Sequence, residues 1–234
     1  SAANTDRDSY YGPGNDPLKA YGKTTDLTAM GGAQYVHTFD KCFFMPSDLT
    51  AGLEYNRDRL KDNMWGYNRH TDQTVNIYSA FLQNEWKNDR WGILIGGRLD
   101  KHNMVDNVIF SPRANLRFNP TQNINLRLSY SSGFRAPQAF DEDMHIENVG
   151  GTVAMIERAK DLKEEKSQSF SVSADMYHRF GAFQTNLLIE GFYTRLTDVF
   201  VLGKPYDRGD GILVKTRSNG PGAKVMGLTL EGKV

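Results

Sequence analysis

The chain has 234 residues, and its 28 lysines and arginines balance its 28 aspartates and glutamates, giving a net charge of zero. This balance argues against a nucleic-acid-binding protein, whose surface is normally basic, and against polybasic attachment to an anionic membrane. The single cysteine, Cys42, excludes an internal disulfide and a cysteine-based metal cluster.

Side chains alternate between apolar and polar along most of the sequence, as in β-strands with one face of each kind. The clearest case is 124–131, where Ile, Leu, Leu and Tyr alternate with Asn, Arg, Ser and Ser. A segment at 153–164 is compatible with a short helix. In chain order the pattern predicts roughly ten strands, with weaker alternation in the first, third and last two, at 27–38, 49–56, 73–86, 91–100, 110–118, 124–134, 169–176, 183–193, 212–217 and 224–234.

No stretch of about 18 consecutive apolar residues predicts a membrane-spanning helix, and the polar residues 1–8 contain no apolar core of a signal peptide. A membrane barrel is still compatible with the sequence, because its strands alternate and hide their apolar content from any average.

The predicted connections alternate in length. Short ones lie at 87–90, 119–123 and 179–182, and longer polar ones lie at 61–70, 101–107, 135–165 and 203–211. Bacterial outer-membrane barrels have short periplasmic turns and long outer loops, so the long segments are expected to face outside. Aromatic residues near the strand ends fit the girdles of such a barrel, namely Tyr55, Trp65, Trp86, Trp91, Phe118 and Phe183.

The alternative from periodicity alone is a soluble antiparallel sandwich or barrel, which would also alternate. Soluble strands average five or six residues, and the predicted strands are about twice as long. The polar faces, rich in Ser, Asn, Gln and Arg, also fit a wet lumen. Both features favour an antiparallel, up-and-down transmembrane β-barrel.

Several motifs resemble TonB-dependent receptors, in particular those of Bacteroides-type bacteria. Three motifs are the most specific: Ser-Pro-Arg-Ala-Asn-Leu-Arg-Phe-Asn-Pro at 111–120, Leu-Arg-Leu-Ser-Tyr at 126–130 and Gly-Phe-Arg-Ala-Pro at 133–137. Gly-Arg-Leu-Asp at 97–100 resembles another strand ending of the family. Two positions depart from the pattern, since Glu164 stands where proline is usual and Thr229 where glutamate is common. The resemblance covers about residues 27–234.

The resemblance implies an all-β fold, a stretch of roughly ten strands from a 22-stranded barrel with a plugged lumen. On this interpretation 1–234 is a partial barrel that lacks the plug domain and the C-terminal strand, and 135–165 is a long outer loop. The two end strands would have unpaired edges. We therefore expect the isolated stretch to self-associate, unless the rest of the barrel pairs with it.

The polar faces of the predicted strands carry charged residues that are expected to face the lumen: Arg98, Asp100, Arg113, Arg117, Arg127, Glu54 and Glu190. Two interpretations are open. These side chains contact the plug and a passing substrate, or they pair across strands and only satisfy the wall.

Candidate ligand-binding residues lie where loop 135–165 begins: Arg135, Asp141, Glu142, Asp143 and His145. Arg135 could bind an anionic ligand such as a ferric siderophore, because a guanidinium binds carboxylates in a fork, or it could pin the base of the loop. The acidic run at 141–147 could hold a cation, but its spacing matches no known metal loop, and a solvated charged loop explains it as well. No metal site or cofactor is predicted.

The resemblance implies an outer-membrane transport receptor for a scarce nutrient, namely a ferric siderophore, haem or cobalamin. The implied partners are a plug domain, the TonB system, outer-membrane lipid and a small-molecule ligand, with no nucleic acid. The alternative is a soluble all-β module that binds a ligand or carbohydrate. An enzyme is not expected, because none of the histidines is spaced with a serine and an acid as a catalytic group.

Overall fold

The structure is a computed structural model that describes residues 1–10, 21–139, 141–144, 147–149, 152–209 and 211–234. Its main element is one sheet of ten strands in which every neighbouring pair is antiparallel. In their order across the sheet these are β1 (Ala2–Tyr10), β2 (Tyr21–Cys42), β3 (Met45–Met64), β4 (Arg69–Lys87), β5 (Trp91–His102), β6 (Ile109–Thr121), β7 (Ile124–Arg135), β10 (Glu165–Phe180), β11 (Phe183–Thr197) and β15 (Ala223–Lys233). The predicted ten-stranded antiparallel wall is therefore confirmed.

The strand register aligns the sequence alternation into two continuous faces. Leu128 on β7 lies between Leu116 on β6 and Val172 on β10. The next residue, Ser129, points to the other face, because successive side chains in a strand point in opposite directions. From β2 to β15 one face of the sheet is consequently mainly apolar and the other mainly polar, whereas β1 is polar on both faces.

The apolar face forms a belt that is open to its surroundings. Leu53, Ile95, Leu128 and Val172 are each more than half exposed, at 67, 56, 51 and 58%. The belt covers nine residues on each of four successive strands, at 47–55 on β3, 78–86 on β4, 91–99 on β5 and 110–118 on β6. Nine residues at about 3.3 Å each, tilted by about 40°, span about 23 Å, close to the height of a membrane barrel's apolar band.

Aromatic pairs mark the edges of this apolar belt. Trp91 stacks on Phe118 at the edge nearest the short turns, with ring centroids 4.2 Å apart. At the opposite edge, Tyr55 lies 4.9 Å from Tyr78. Trp65 lies beyond this edge, in a 3₁₀ turn at Trp65–Tyr67. Aromatic residues at these levels are the girdles of a transmembrane barrel.

The connections alternate in length between the two ends of the sheet. At one end they are two or three residues long, at 43–44, 88–90, 122–123 and 181–182, whereas at the other end the two longest are 136–164 and 198–222. The predicted loop at 61–70 is much shorter than expected, because β3 continues to Met64 and β4 begins at Arg69. We call the end with the long connections the outer end, as in outer-membrane barrels.

The two longest connections contain a second, five-stranded sheet, which we call the loop sheet. Its strands are β8 (Glu147–Val149), β9 (Thr152–Arg158), β12 (Phe200–Leu202), β13 (Tyr206–Asp207) and β14 (Ile212–Asn219), and a one-turn helix, α1, covers Asp141–Met144. Two expectations are wrong here. The segment 153–164 contains β9 rather than a helix, and 212–217 belongs to β14, which pairs with β9 in parallel and lies outside the barrel wall.

Buried apolar side chains concentrate at the outer end. Met64, Met155 and Ile212 form one small cluster that joins the loop sheet to the end of β3. Across the described ranges, no second layer of secondary structure covers the apolar belt, so the soluble alternative, which would bury that face, has no support. No helix in the described residues is long and apolar enough to cross a bilayer.

Candidate functional site

The best-defined charged group on the polar face of the sheet is a cluster of Glu54, Arg98, Asp100 and Ser79, which we call the wall cluster. Arg98 donates from Nη1 to Glu54 Oε2 at 2.6 Å and from Nε to Asp100 Oδ1 at 2.8 Å. Ser79 Oγ donates to the same Asp100 oxygen at 2.6 Å. Asp100 and Ser79 are buried, so this cluster holds a desolvated carboxylate in the wall.

The other charged residues predicted on this face make different contacts, although Arg113 lines a cavity of about 370 Å³ together with Glu54 and Arg98 of the wall cluster. Arg113 donates to Gln83, Arg117 donates to the Asn88 carbonyl oxygen at 2.8 Å, and Arg127 donates to Asn125 Oδ1 at 2.8 Å. Glu190 lies in register between Ser173 and Thr229. Each of these three arginines donates to a neutral oxygen, and Arg117 and Arg127 are register partners on β6 and β7.

A cavity of about 630 Å³ opens at the outer end, between β4 and the loop sheet, and we call it the outer pocket. This volume is in the range of small-molecule sites. Its lining residues come from separate parts of the chain: Asn68, Arg69, His70, Thr71, Met104, Pro137, Ala139, Asp143, Met144, Met155, Ile156, Glu157, Arg158, Ala159, Lys160, Leu162 and Arg208.

Cations outnumber carboxylates in the lining of the outer pocket. Four of the lining charged groups are paired, since Arg69 contacts Asp62 at 2.8 Å, Arg208 contacts Glu157, also in the lining, at 4.0 Å, and Asp143 contacts Arg217 at 2.7 Å. Arg158 and Lys160 take part in none of the ion pairs between described residues. Among its described lining residues, the outer pocket therefore carries an excess of positive charge.

Arg158 connects the loop to the end of the wall. Its Nη1 donates to Gln73 Oε1 and to the Pro137 carbonyl oxygen, both at 2.9 Å. Burial lowers the pKa of Arg158, and the charge of Asp143 partly opposes that shift. Because the ordinary pKa of arginine lies far above neutrality, the guanidinium stays charged. A partly buried cation bound to neutral oxygens attracts an anion.

The residues predicted to bind ligand do not come together in one site among the described residues. Asp143 lies in the outer pocket but is paired with Arg217, and both side chains are buried. Arg135 lies 5.5 Å from the Phe200 ring centroid and opposite Glu165 in the sheet, at the base of the loop. Asp141 and Glu142 belong to α1 but their side chains lie outside the described part of the chain, as does all of His145.

His102 is buried at the outer end of β5, above the apolar belt, and Met104, two residues later, lines the outer pocket. Its Nδ1 accepts from the Met104 backbone N–H at 3.0 Å, so the neutral ring carries its proton on Nε2, which lies 3.2 Å from Gln138 Oε1. Burial lowers the pKa of His102, and the bond to Gln138 and the charge of Asp100 oppose that shift.

We expect acidification from about pH 7.5 to about pH 5.5 to loosen the turn that follows β5, at Met104. The pKa of His102 is lower in the folded protein than in the unfolded chain. The neutral ring therefore stabilises the fold fully above about pH 6.5, and this stabilisation is lost as the pH falls toward the pKa in the folded state. The protonated ring has no lone pair on Nδ1, so the Met104 amide loses its acceptor, and the hydrogen-exchange protection factor of this amide should fall at the lower pH.

The matched control for this acid effect is the exposed His70, whose Nδ1 contacts Asn63 Oδ1. His102→Gln should remove the pH dependence of the Met104 protection factor, and His70→Gln should leave it intact. An equal protection factor at both pH values in the unaltered protein would show that protonation of His102 does not loosen this turn.

Sequence reasoning missed the residues that surround the outer pocket. Arg69, His70, Arg158, Lys160 and Arg208 carry no shared motif. They come together because β9 pairs with β14, more than fifty residues later, and because Arg158 contacts Gln73 on β4. The only local signal was a pair of basic residues near the end of β9 within a long loop.

Comparisons with known proteins agree with this architecture. The family model described as "TonB dependent receptor-like, beta-barrel" matches residues 1–234. A siderophore receptor of Pseudomonas aeruginosa is 17% identical with a TM-score of 0.72, over 91% of this chain and 39% of that one. A ferric enterobactin receptor of the same species, solved with enterobactin, is 20% identical with a TM-score of 0.72, over 98% of this chain and 37% of that one.

One curated protein is also similar to this chain in sequence. A probable haemoglobin and haemoglobin-haptoglobin-binding protein of Haemophilus influenzae is 23% identical over 206 residues, which cover 86% of this chain and 18% of the relative. The chain thus spans less than two fifths of the length of each of these proteins.

Proposed function

The chain belongs to the TonB-dependent receptor family, and from this premise we propose that it is part of the barrel wall of an outer-membrane receptor that imports an anionic iron chelate. The chain is an outer-membrane protein, as the barrels of its family are. The observation that carries the proposal is the excess of positive charge in the outer pocket, which opens on the side from which a nutrient arrives.

The chemistry of the outer pocket favours a ferric siderophore over an uncharged ligand. Arg158 and Lys160 supply positive charge, and Arg158 is already partly desolvated, so an anion gains more from it than it would in water. Haem, which carries carboxylates, is the second candidate and is compatible with the same charges. Cobalamin lacks a comparable negative charge and fits these groups less well.

Transport requires parts that lie beyond these strands. We propose that a plug domain of the same receptor fills the lumen against the polar face, and that the TonB system supplies energy through that plug. In the whole receptor the open edges of β1 and β15 would pair with the remaining barrel strands. The buried Asp100 and the wall cluster around it then belong to the surface that meets the plug.

The test is uptake by the full-length receptor in cells limited for iron, haem or cobalamin. Lys160→Gln removes an exposed pocket cation that pairs with no carboxylate among the described residues, and we expect it to weaken binding of an anionic ferric siderophore by about threefold to tenfold. Lys204→Gln is the matched control, because Lys204 is an exposed lysine that does not line the pocket.

Two outcomes would contradict this proposal. Equal binding by the Lys160→Gln and Lys204→Gln receptors would exclude the outer pocket as the anion site. Normal growth of a strain lacking the receptor under all three limitations would exclude the uptake function itself.

A further inference from the structure

We propose that the outward face of β10, β11 and β15 binds one phosphorylated acyl lipid from the outer leaflet of the membrane. This inference rests on the position of the chain in the outer membrane and is independent of what the receptor transports. It is carried by a groove in the apolar belt together with two cations directly above that groove.

The lipid-facing groove has a volume of about 620 Å³, and its outward walls are almost entirely apolar. Its floor is Gly191, which lies in register between Val172 on β10 and Leu228 on β15. Side chains on both sides rise above this floor: Leu128, Phe170, Val172, Tyr193, Met226 and Leu228.

Gly191 produces the depth of the lipid-facing groove. A Cβ atom at this position would lie 3.8 Å from Val172 Cγ1 and 4.0 Å from Gly227 O, which are ordinary contact distances. A side chain would therefore fit, and its absence leaves a notch where the strands on either side present bulky residues. On one flank the wall is reinforced by Tyr130 and Phe170, whose ring centroids are 4.7 Å apart.

Two cations lie immediately above the groove. Arg195 on β11 and Lys224 on β15 are register partners, so their Cα atoms lie about 5 Å apart and their side chains share the outward face. Arg195 is four residues above Gly191, about 13 Å along the strand. This spacing places the cations at headgroup level when an acyl chain lies in the groove.

The surrounding charges leave Arg195 and Lys224 available for a headgroup. Both side chains are exposed, and neither joins an ion pair in the described ranges. The nearest outward-facing cation on β10, Lys166, is already paired with Glu164 at 2.9 Å. Gln168, the register partner of Arg195 on β10, adds an amide donor.

A phosphorylated lipid matches both features of this site, the pair of cations and the apolar groove below them. Paired cations bind a phosphate strongly, and basic residues at a membrane surface favour anionic lipids. The bare notch below accepts a chain that an evenly filled apolar belt would exclude. A soluble anion would gain nothing from the groove, and an uncharged lipid would gain nothing from the cations.

The experiment measures lipid binding to the full-length receptor in detergent by native mass spectrometry. The probes are diphosphorylated lipid A and the same lipid without its phosphates. We expect the phosphorylated form to bind the unaltered receptor at least about tenfold more tightly. Arg195→Gln combined with Lys224→Gln should abolish that preference, and Gly191→Leu should weaken binding of both forms by filling the notch.

The control removes two outward cations at the outer end of β3, with Arg57→Gln and Arg59→Gln. These side chains are exposed and face outward, but they lie far across the sheet from the lipid-facing groove. This variant should bind lipid like the unaltered receptor. The proposal is overturned if the control loses as much affinity as the Arg195 and Lys224 variant, if phosphates make no difference, or if Gly191→Leu binds normally.

Discussion

Replacing Leu128 with arginine is expected to lower the unfolding free energy of the membrane-embedded receptor by about 2 to 4 kcal/mol, the range for a cation at the lipid face near the bilayer midplane. Leu128 lies near the middle of the apolar belt, between Leu116 and Val172, and its side chain is 51% exposed. An arginine there would have to lose its hydration or thin the bilayer around it.

The matched control for Leu128→Arg is Ser129→Arg on the same strand. Ser129 faces the polar side, where its register partners are Asn115 and Ser171. An arginine on that side stays hydrated, so Ser129→Arg should change the unfolding free energy by less than about 1 kcal/mol. Urea unfolding in lipid vesicles measures both, and equal losses would mean that the two faces are wrongly assigned.

The second large effect is expected from Arg98→Met in the wall cluster, at about 2 to 3 kcal/mol of lost stability. The substitution removes the donor that neutralises the buried Asp100 and the half-buried Glu54. Breaking a fully buried pair costs about 3 to 5 kcal/mol, and the one-third exposure of Arg98 reduces that penalty.

The exposed pair of Lys87 and Asp48, joined at 2.6 Å, is the control for the wall cluster. Lys87→Met should cost less than about 1 kcal/mol, because surface ion pairs contribute little. Combining Arg98→Met with Glu54→Gln should cost less than the two single losses added together, since the partners are coupled. Additive losses would show that Glu54 and Arg98 act independently.

The wall was predictable because the membrane imposes one chemical rule on every strand that crosses it. At 124–131 each residue must face either lipid or water, and the sequence alternates accordingly. The rule fails beyond the membrane, where both faces are polar. β2 begins at Tyr21, six residues before the predicted start. The alternation did not reveal this outer part of the strand, because it is rich in polar residues such as Thr24 and Asp26, which share the face of the lumen wall.

The loop sheet and the outer pocket could not be predicted in the same way. The alternation of Ile212, Val214 and Thr216 is a correct strand signal, but periodicity does not identify the neighbouring strand, which is β9. Asp143 was predicted from its acidic neighbours, whereas its contact is Arg217, more than seventy residues later. Such non-local pairs depend on the folded arrangement and leave no local pattern.

The most direct test of the transmembrane wall is a lipid-quenching scan along β7 of the full-length receptor. Single cysteines are introduced one at a time at 125–130, with Cys42→Ser removing the only native cysteine of this chain, and each is labelled with a fluorophore in vesicles of brominated lipids. We predict strong quenching at 126, 128 and 130 and weak quenching at 125, 127 and 129. Uniform quenching, or the opposite alternation, would contradict the assignment of this sheet as a barrel wall with its apolar face in lipid.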